Sequence, residues 1–259
     1  MPSSPEQFLP CFQALEKAQK VSVLTGAGVS TLSGIQDFRG ENGFYTQKGL
    51  LYGVSREQLF DIDFFRARPE IFYCYARDYL YPMLDKTPSI AHTALARMQK
   101  AGRIGTVYTQ NIDCLHTKAH GGRVVELHGT LREHACIDCG RTFETEKARE
   151  CAEAGKVPRC PSCSGLVKPK VVFFGEQLND DDLSSAFRDA EISDVFLVLG
   201  SSLTVSPVSS LPMASRINKR QIVIVNKQPT PFDRDAAFRF DDIALFCGEM
   251  EKYFFPDEA

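Results

Sequence analysis

Short apolar runs alternate with helical patterns along most of the chain. The runs are rich in Val, Ile, Leu or Phe and end at Gly, Asn or polar turns, which is typical of buried strands. They occupy residues 21–25, 106–109, 124–127, 171–174, 195–199 and 222–225, and helical patterns occupy 90–100, 112–119, 181–190 and 211–218. This alternation predicts an α/β fold with a doubly wound parallel sheet and helices on both of its faces.

Two segments interrupt the alternation. Residues 40–84 carry a long helical pattern in which Pro69 is placed like a first-turn proline. Residues 131–168 contain paired cysteines and little apolar periodicity. We expect both segments to be insertions that form a smaller second domain. The large domain would then consist of residues 1–39, 85–130 and 169–259.

The composition is that of an ordinary globular protein. Hydrophobic residues make up 43% and charged residues 24% of the 259 residues, which excludes disorder. The net charge of −3 is not that of an obvious nucleic-acid binder, and no apolar run is long enough to span a membrane. We expect a monomer with neither nucleic acid nor membrane as a partner.

The first residues, 1–19, lack a signal-peptide profile. They predict an amphipathic helix instead, with Phe8, Phe12, Leu15 and Ala18 on one face. We therefore expect a cytoplasmic protein, in which thiols stay reduced.

The cysteines indicate a metal site rather than a disulfide framework. Cys136-x2-Cys139 and Cys160-x2-Cys163 form two close pairs separated by twenty residues, and four thiolates at this spacing close a tetrahedron around Zn(II). Because sulfur fills all four positions, we expect the zinc to be structural. The alternative is a set of free surface cysteines. Residues 131–168 carry seven Lys or Arg against six Asp or Glu, which does not favour a zinc ribbon that binds nucleic acid.

A glycine-rich turn follows the first predicted strand. Gly26 and Gly28 come directly after residues 21–25, and a dinucleotide site begins in this way because the backbone can approach a pyrophosphate there. Thr31 replaces the third glycine of that fingerprint, and the acidic residue expected about twenty residues on is missing. A tight strand–helix turn without a ligand is therefore the alternative. The small or polar residues that follow later strands, at the edge where such sheets bind ligands, are Gly200, Ser201, Ser202 and Asn226.

Polar residues also end two strands in the middle of the chain. Gln110, Asn111 and Asp113 follow one strand and His128 ends another, which predicts hydrogen-bonding groups and one base over a common crevice. The pKa of a histidine is ordinarily about 6.5, so His128 can accept a proton at neutral pH. The alternative for a single histidine at a strand end is a hydrogen bond in a turn. We expect His92, on a helical pattern, to pack or to cap.

Together these motifs resemble one protein family. They occur in the order seen in sirtuins, the NAD-dependent protein-lysine deacylases. The matching motifs are GAGVSTLSGIQDFR at 26–39, TQNID at 109–113, ELHG at 126–129, the two cysteine pairs, FFGE at 173–176, GSS at 200–202 and VN at 225–226. The resemblance covers roughly residues 21–246 and is greatest to the compact prokaryotic type. It implies a Rossmann-type large domain, a small zinc-plus-helix domain, and NAD and structural Zn(II) as cofactors. An acyl-lysine protein or peptide is the implied partner.

The resemblance also implies roles for individual residues. His128 would be the general base, with Asn111 as a second catalytic residue. The peptide would add as a strand between two edges of the cleft, with contacts from Val172, Phe173, Phe174, Gly175, Glu176 and Val205. The implied NAD contacts are Gly26, Ala27, Gly28, Thr31, Asp37, Phe38, Arg39, Gln110, Asn111, Ile112, Asp113, His128, Gly200, Ser201, Ser202, Asn226 and Asp242.

The implied reaction transfers the acyl group to NAD. The acyl oxygen attacks the ribose carbon as nicotinamide leaves, and His128 then deprotonates a ribose hydroxyl. Water finally releases lysine and O-acetyl-ADP-ribose. The alternative activity for the same pocket is that of a protein ADP-ribosyltransferase or an NAD hydrolase. A zinc adaptor without activity would not need the polar groups at the strand ends.

Some positions depart from the family's pattern. Gln36 replaces a proline, which should leave its loop more mobile, and Lys170 replaces an uncharged residue or a histidine and is expected to be solvated. Tyr73 matches a tyrosine of succinyl-preferring members, but Ala76 stands where they have an arginine, and Arg77 should point about 100° away around the helix. Because an acyl carboxylate would be buried unpaired, we expect a preference for acetyl and other neutral acyl groups.

Overall fold

The computed structural model describes residues 5–40 and 43–256. Within these ranges the strands are β1 (Val21–Thr25), β2 (Val107–Thr109), β3 (Val124–Glu126), β4 (Gly129–Cys136), β5 (Thr142–Glu144), β6 (Val167–Val171), β7 (Val195–Leu199), β8 (Gln221–Val225) and β9 (Phe238–Phe240). The α-helices are α1 (Leu9–Lys17), α2 (Gly28–Thr31), α3 (Ile62–Ala67), α4 (Pro69–Tyr75), α5 (Ile90–Lys100), α6 (Leu115–Lys118), α7 (Thr145–Glu153), α8 (Asp180–Ile192), α9 (Leu211–Ile217) and α10 (Ile243–Phe254). Short 3-10 helices lie at Pro5–Phe8, Gln58–Phe60, Tyr81–Asp85 and Val208–Ser210, and a π-helical turn lies at Ala76–Leu80.

The larger sheet in the described part of the chain is parallel throughout. Its strand order is β3-β2-β1-β7-β8-β9. The chain therefore winds outward from β1 to β3 on one side and from β7 to β9 on the other. The predicted doubly wound parallel sheet is confirmed, and the point between β1 and β7 is where open α/β sheets leave a crevice for a ligand.

Apolar side chains cover both faces of this sheet. Val23 belongs to a buried cluster with Leu95 of α5 and Phe246 of α10, whereas its neighbour Leu24 belongs to a cluster with Phe196 and with Leu211 of α9. Successive side chains of a strand point to opposite faces, so each cluster joins the sheet to one layer of helices. This two-sided burial explains why β1 is buried at every residue.

The N-terminal segment packs on one of these faces. The predicted amphipathic helix is observed as α1 after a short 3-10 helix, and Phe8, Phe12 and Leu15 are buried as expected. The part of the prediction that falls on residues 1–4 lies outside the described residues. None of the helices in residues 5–40 and 43–256 is long and apolar enough to cross a membrane.

A second, antiparallel sheet has the order β5-β4-β6. Next to it lies a cluster of buried aromatic rings, in which the ring centroids of Phe72 and Phe173 are 5.1 Å apart and those of Phe60 and Tyr75 are 5.6 Å apart. The helical pattern predicted for residues 40–84 is found from residue 58 onward. Residues 43–57 form turns instead, because Gly49 and Gly53 adopt positive φ angles of 92° and 80°, which no helix accommodates.

The strand predicted at residues 171–174 is displaced toward the N-terminus. The observed strand, β6, ends at Val171, and the following residues bond to several different segments. Val172 N donates to His128 O at 2.9 Å and Phe174 N donates to Phe60 O at 2.7 Å. Sequence reasoning missed β6 because Pro169 argues against a strand, and β6 tolerates this proline beside a register shift in its pairing with β4.

Candidate active site and metal centre

A cleft of about 1300 Å³ opens at the carboxyl ends of the central parallel strands. A pocket for one small ligand ordinarily has roughly 300–1,000 Å³, so this cleft has room for a longer ligand. The predicted residues that line it are Gly26, Ala27, Gly28, Thr31, Asp37, Phe38, Arg39, Gln110, Asn111, Ile112, His128, Val172, Phe173, Phe174, Gly175, Glu176, Gly200, Ser201, Ser202, Val205 and Asn226.

Two predicted residues lie outside this lining. Asp113 is buried behind the cleft, and Asp242 caps α10 by accepting a hydrogen bond from Leu245 N at 2.8 Å. Tyr45 and Phe60 also line the cleft. Sequence reasoning missed both, because neither belongs to one of the motifs.

Three glycines allow the loops after β1 and β7 to meet. A Cβ atom on Gly28 would lie 2.6 Å from Gly200 Cα, and one on Gly26 would lie 2.7 Å from Gly200 O. Gly28 N donates to Gly200 O at 2.9 Å, and Gly200 itself has a φ of 64°. The glycines are thus required by the contact between two loops of the protein. The sequence suggested the approach of a ligand or a tight strand–helix turn, but not this contact with a second loop.

The imidazole of His128 is oriented by a backbone carbonyl. Its Nδ1 lies 3.0 Å from Gln110 O, and because a carbonyl can only accept, Nδ1 carries the proton and Nε2 has a lone pair available. Burial lowers the pKa of His128, and the nearby Arg39 lowers it further, against the effect of the Gln110 hydrogen bond. The ring is therefore neutral near pH 7 and can act as a base from Nε2.

A buried hydrogen-bond network holds Asn111 beside this base. Asn111 Nδ2 donates to Gly26 O at 3.1 Å and to Ser30 Oγ at 3.0 Å. Ser30 Oγ donates in turn to Asp113 Oδ2 at 2.6 Å, and Asp113 Oδ1 accepts from Leu115 N at 2.9 Å. Burial raises the pKa of Asp113. Asp113 therefore supports Asn111 from behind the cleft.

Two further histidines lie beneath this network. His92 completes the capping box of α5 with Ser89, which confirms the expected capping role, and its ring centroid is 4.5 Å from that of His116. His116 Nε2 is 2.9 Å from Thr25 Oγ1. Burial lowers the pKa of His92 to about 4 and lowers that of His116 as well, so both rings are neutral. The periodicity of residues 112–119 was the only signal that could have placed His116 in the interior.

The loop after β7, which also lines the cleft, is hydrogen-bonded to Gln110. Ser201 is buried, and its Oγ donates to Gln110 Oε1 at 2.6 Å. This bond joins the loop after β2 to the loop after β7 across β1. Asn226 Nδ2 donates to Gln228 O at 2.8 Å, so its side chain shapes the loop after β8. The guanidinium of Arg39 lies 5.1 Å from the centre of the Tyr45 ring, at the other end of the cleft.

One edge of the cleft is formed by residues 172–176. Both main-chain groups of Phe174 are bonded to residues 60–62. Phe174 N donates to Phe60 O at 2.7 Å, and Ile62 N donates to Phe174 O at 3.1 Å. The side chain of Phe174 is exposed in the cleft, while Phe173 is buried in the aromatic cluster. Val205 lines the cleft from another segment. An extended ligand would therefore have to pair with groups of this edge other than those of Phe174.

The residues compared with succinyl-preferring proteins do not line the cleft. Tyr73 is buried, and its hydroxyl donates to Val167 O at 2.6 Å. Ala76 is buried as well, and Arg77 forms an ion pair with Asp78 at 2.6 Å on the surface. Arg77 therefore points elsewhere, as expected. Lys170 is exposed and pairs with a surface glutamate.

The four predicted cysteine ligands lie together at the far end of β4. Their Sγ atoms are all within 4.8 Å of one another, with 3.5 Å between Cys136 and Cys163 and 3.7 Å between Cys139 and Cys160. A tetrahedral site with Zn–S distances of about 2.3 Å has S–S separations of about 3.8 Å. The arrangement therefore fits Zn(II) with four thiolate ligands.

Two similar turns present these sulfur atoms. Gly140 N donates to Cys136 O at 3.0 Å and Ser164 N donates to Cys160 O at 2.8 Å, and Gly140 and Ser164 both have positive φ. Desolvation raises the pKa of Cys136 and of Cys160, but backbone N–H groups of the turns outweigh it and lower both. The Gly165 N–H lowers the pKa of Cys163, but hydrogen bonds with the thiols of Cys136 and Cys139 outweigh it and raise that pKa. The turns thus favour the thiolate form at Cys136 and Cys160.

Comparison with known proteins places this architecture among close relatives. The model of the Sir2 family matches residues 26–207. A protein of Thermotoga maritima named NAD-dependent protein deacetylase is 40% identical over 234 residues, which cover 90% of this chain and 92% of that protein. NAD-dependent protein deacetylase 1 of Pyrobaculum aerophilum is 41% identical over 210 residues, which cover 81% of this chain and 80% of that protein. A solved complex described as Sir2-p53 peptide-NAD+ has a TM-score of 0.87 and 38% identity, and the match covers 95% of this chain and 98% of that one.

Proposed function

The chain belongs to the Sir2 family, and on that premise we propose that it is an NAD-dependent protein-lysine deacetylase. It transfers the acyl group of a modified lysine to NAD and releases nicotinamide, O-acetyl-ADP-ribose and the free lysine. The relatives named as deacetylases support this activity, as does the solved Sir2 structure described as bound to acetylated peptide. The single observation that carries the proposal is the neutral imidazole of His128, held in the cleft with Nε2 available.

NAD fits the part of the cleft at the carboxyl ends of β1 and β7. The close contact of Gly26 and Gly28 with Gly200 leaves backbone groups rather than side chains facing the cleft at the switch point of the sheet. Ala27 and Thr31 would hold the pyrophosphate, and the residues that would hold the two nucleoside halves include Gln110, Asn111, Ser201, Ser202 and Asn226. When bound, NAD supplies the ribose carbon from which nicotinamide leaves and to which the acyl oxygen adds.

His128 acts as the general base of this reaction. Its Nδ1–H is bonded to Gln110 O, so Nε2 takes the proton of a ribose hydroxyl. Asn111 is held by Gly26 O and Ser30 and orients the ribose beside the base. The partly buried position of the ring keeps it unprotonated before substrate binds, and the apolar neighbours Ile112 and Phe38 exclude water from the reacting carbon.

The acyl-lysine peptide binds along residues 172–176. Main-chain hydrogen bonds from an added strand supply affinity with little dependence on the peptide's sequence. Because Phe174 is already paired with residues 60–62, and the N–H groups of Val172 and Glu176 are bonded to His128 O and Phe173 O, the main-chain groups left for the peptide are the carbonyls of Val172 and Glu176 and both groups of Gly175. Val205 forms the facing wall. Neither Ala76 nor Arg77 lines the cleft, and Arg77 is paired with Asp78 on the surface, so this helix offers no cation to an acyl carboxylate, which supports a preference for neutral acyl groups.

The same pocket could also serve a protein ADP-ribosyltransferase or an NAD hydrolase. In that case water or a protein nucleophile would replace the acyl oxygen, and nicotinamide would be released without an acylated peptide. The base in the cleft and the edge formed by residues 172–176 favour deacetylation, since neither is needed to hydrolyse NAD.

The experiment that tests the proposal follows both products. Purified protein is incubated with NAD and an acetyl-lysine peptide, and nicotinamide and free lysine are quantified together. We expect equal amounts of the two, and a loss of about 10²–10⁴-fold in turnover for His128→Ala. The matched control is His120→Ala, an exposed histidine outside the cleft. Full activity of His128→Ala would refute the assignment of the base, and nicotinamide release that ignores the peptide would favour the alternative.

Further proposals concern the setting of the enzyme. The cleft would lie between a large domain of residues 1–39, 85–130 and 169–259 and a small domain of residues 40–84 and 131–168. We propose a monomer in the cytoplasm that does not bind nucleic acid. The nine cysteines, which form no disulfide and of which four form the metal cluster, support a reducing compartment. Gel filtration with light scattering tests the oligomeric state.

A further inference from the structure

A buried lysine lies close to the edge of the cleft formed by residues 172–176, which we call the peptide edge. Lys168, on β6, is only 6% exposed and does not line the cleft. Its Nζ donates to Pro169 O at 3.2 Å, to Val171 O at 2.6 Å and to Glu176 Oε2 at 3.0 Å. An ammonium group has three donors, so this one is fully satisfied within a single stretch of nine residues.

The carboxylate of Glu176 extends these contacts to the other end of the edge. The same Oε2 atom accepts a hydrogen bond from Phe173 N at 2.7 Å, and the ammonium of Lys168 lies 4.1 Å from the centre of the Phe173 ring. Glu176 N also donates to Phe173 O at 3.0 Å. This half-buried ion pair therefore closes residues 173–176 into a turn and joins that turn to β6.

The ion pair acts on Gly175 and Glu176, which among the described residues form no main-chain hydrogen bond to another segment of the chain. Val172 and Phe174 are held by His128 O and by residues 60–62, but Gly175 has a φ of 91° and belongs to no strand. Removing an ammonium group from water costs free energy unless the group is paired. A pair of this kind is most useful where it specifies one conformation of the chain. The conformation specified here is that of Gly175 and Glu176, two of the groups left for the peptide.

We propose that Lys168 is a positioning residue for the substrate, which holds residues 172–176 through Glu176 in the shape that pairs with an extended acyl-lysine peptide. This inference rests on the proposed function and deepens it. Lys168 acts on peptide binding. It touches neither His128 nor the loops after β1 and β7, so it leaves NAD binding and proton transfer unchanged.

The test replaces Lys168 by an apolar residue of similar length, Lys168→Met. The matched control is Lys170→Met, on the same strand, whose exposed ammonium pairs with Glu133 at 2.6 Å on the surface. Initial rates are measured against an acetyl-lysine peptide and against NAD, with zinc content and melting temperature recorded for each protein. For Lys168→Met we expect the peptide KM to rise about tenfold or more, with kcat and the NAD KM within about twofold of wild type. Lys170→Met should match wild type in all three.

A second variant keeps the proposal falsifiable if Lys168→Met folds poorly. Glu176→Gln retains an oxygen for Phe173 N but removes the charge, and it should raise the peptide KM in the same selective way. Direct binding of a fluorescent acetyl-lysine peptide checks the result without catalysis. A wild-type protein that neither binds nor deacetylates the peptide would refute the proposed function, and this inference with it. An active wild type with an unchanged peptide KM in both variants, or with equal losses in every parameter, would overturn the positioning role alone.

Discussion

Replacing Gly28 by alanine should weaken both the fold and the use of NAD. The added methyl group would lie 2.6 Å from Gly200 Cα and 2.9 Å from Gly200 O. Both are backbone atoms, so no flexible side chain can move aside. Ordinary contacts of a Cβ atom begin at 3.4 Å, and the two loops must therefore separate by about 0.8 Å at this point.

The size of the effect follows from this displacement. The φ of Gly28 is not in the left-handed region, so alanine adds no backbone strain and the whole cost comes from overpacking, about 1–3 kcal/mol of unfolding free energy. The displaced loops carry Ala27 and Thr31 on one side and Ser201 on the other. A misplacement near 1 Å can cost about a hundredfold in rate, so we expect kcat/KM for NAD to fall by about ten- to a hundredfold.

The assay combines urea unfolding in the absence of NAD with steady-state kinetics. The control is Gly248→Ala in α10, where a Cβ atom would meet nothing within 4 Å. This substitution should stabilise the helix by about 0.5–1 kcal/mol. Gly28→Ala with wild-type stability but a raised KM for NAD would show that the glycine serves only the ligand. That result would refute the packing argument.

Three further predictions concern the base, the metal and the acyl group. Burial lowers the pKa of His128 and so disfavours its protonated form. Activity should therefore be lost on acidification only below about pH 6.5. A pH profile of kcat/KM checks this, and an acid limb centred above that value would contradict it. Cys136→Ala should lose zinc and lower the melting temperature by about 10 °C or more, as measured by metal analysis and calorimetry, and a zinc-free variant that remained soluble and fully active would exclude a structural metal. Because Ala76 provides no cation, acetyl should be removed faster than succinyl from the same peptide, as followed by mass spectrometry, and the reverse order would show that another cation receives the acyl carboxylate.

The parallel sheet and the metal site were predictable because each depends on short-range sequence patterns. Strands β1, β7 and β8 are buried on both faces and consist almost entirely of β-branched or large apolar residues, so the pattern alone locates them. The two cysteine pairs are also local signals, since each turn needs only four residues. The structure confirms both predictions.

Features that depend on distant contacts could not be predicted in this way. The peptide edge is shaped by bonds from Phe174 to residues 60–62, more than a hundred positions away. His116 and Lys168 are polar residues in the interior, and only their partners Thr25 and Glu176 explain why they are tolerated there. A composition argument assigns such residues to the surface by default.

The geometry of β4 explains how a remote metal can matter to the base without taking part in its chemistry. This strand begins at Gly129, directly after His128, and ends at Cys136, so at about 3.3 Å per residue its backbone spans at most about 23 Å between the residue after the base and the first cysteine ligand. Gly129 has a φ of 79°, and a Cβ atom there would lie 1.9 Å from Lys170 O, so the chain after the base is fixed closely against β6. The four thiolates join the far ends of the same two strands. Zinc therefore stabilises the pairing of β4 with β6, and this pairing fixes both the backbone of His128 and the start of the peptide edge.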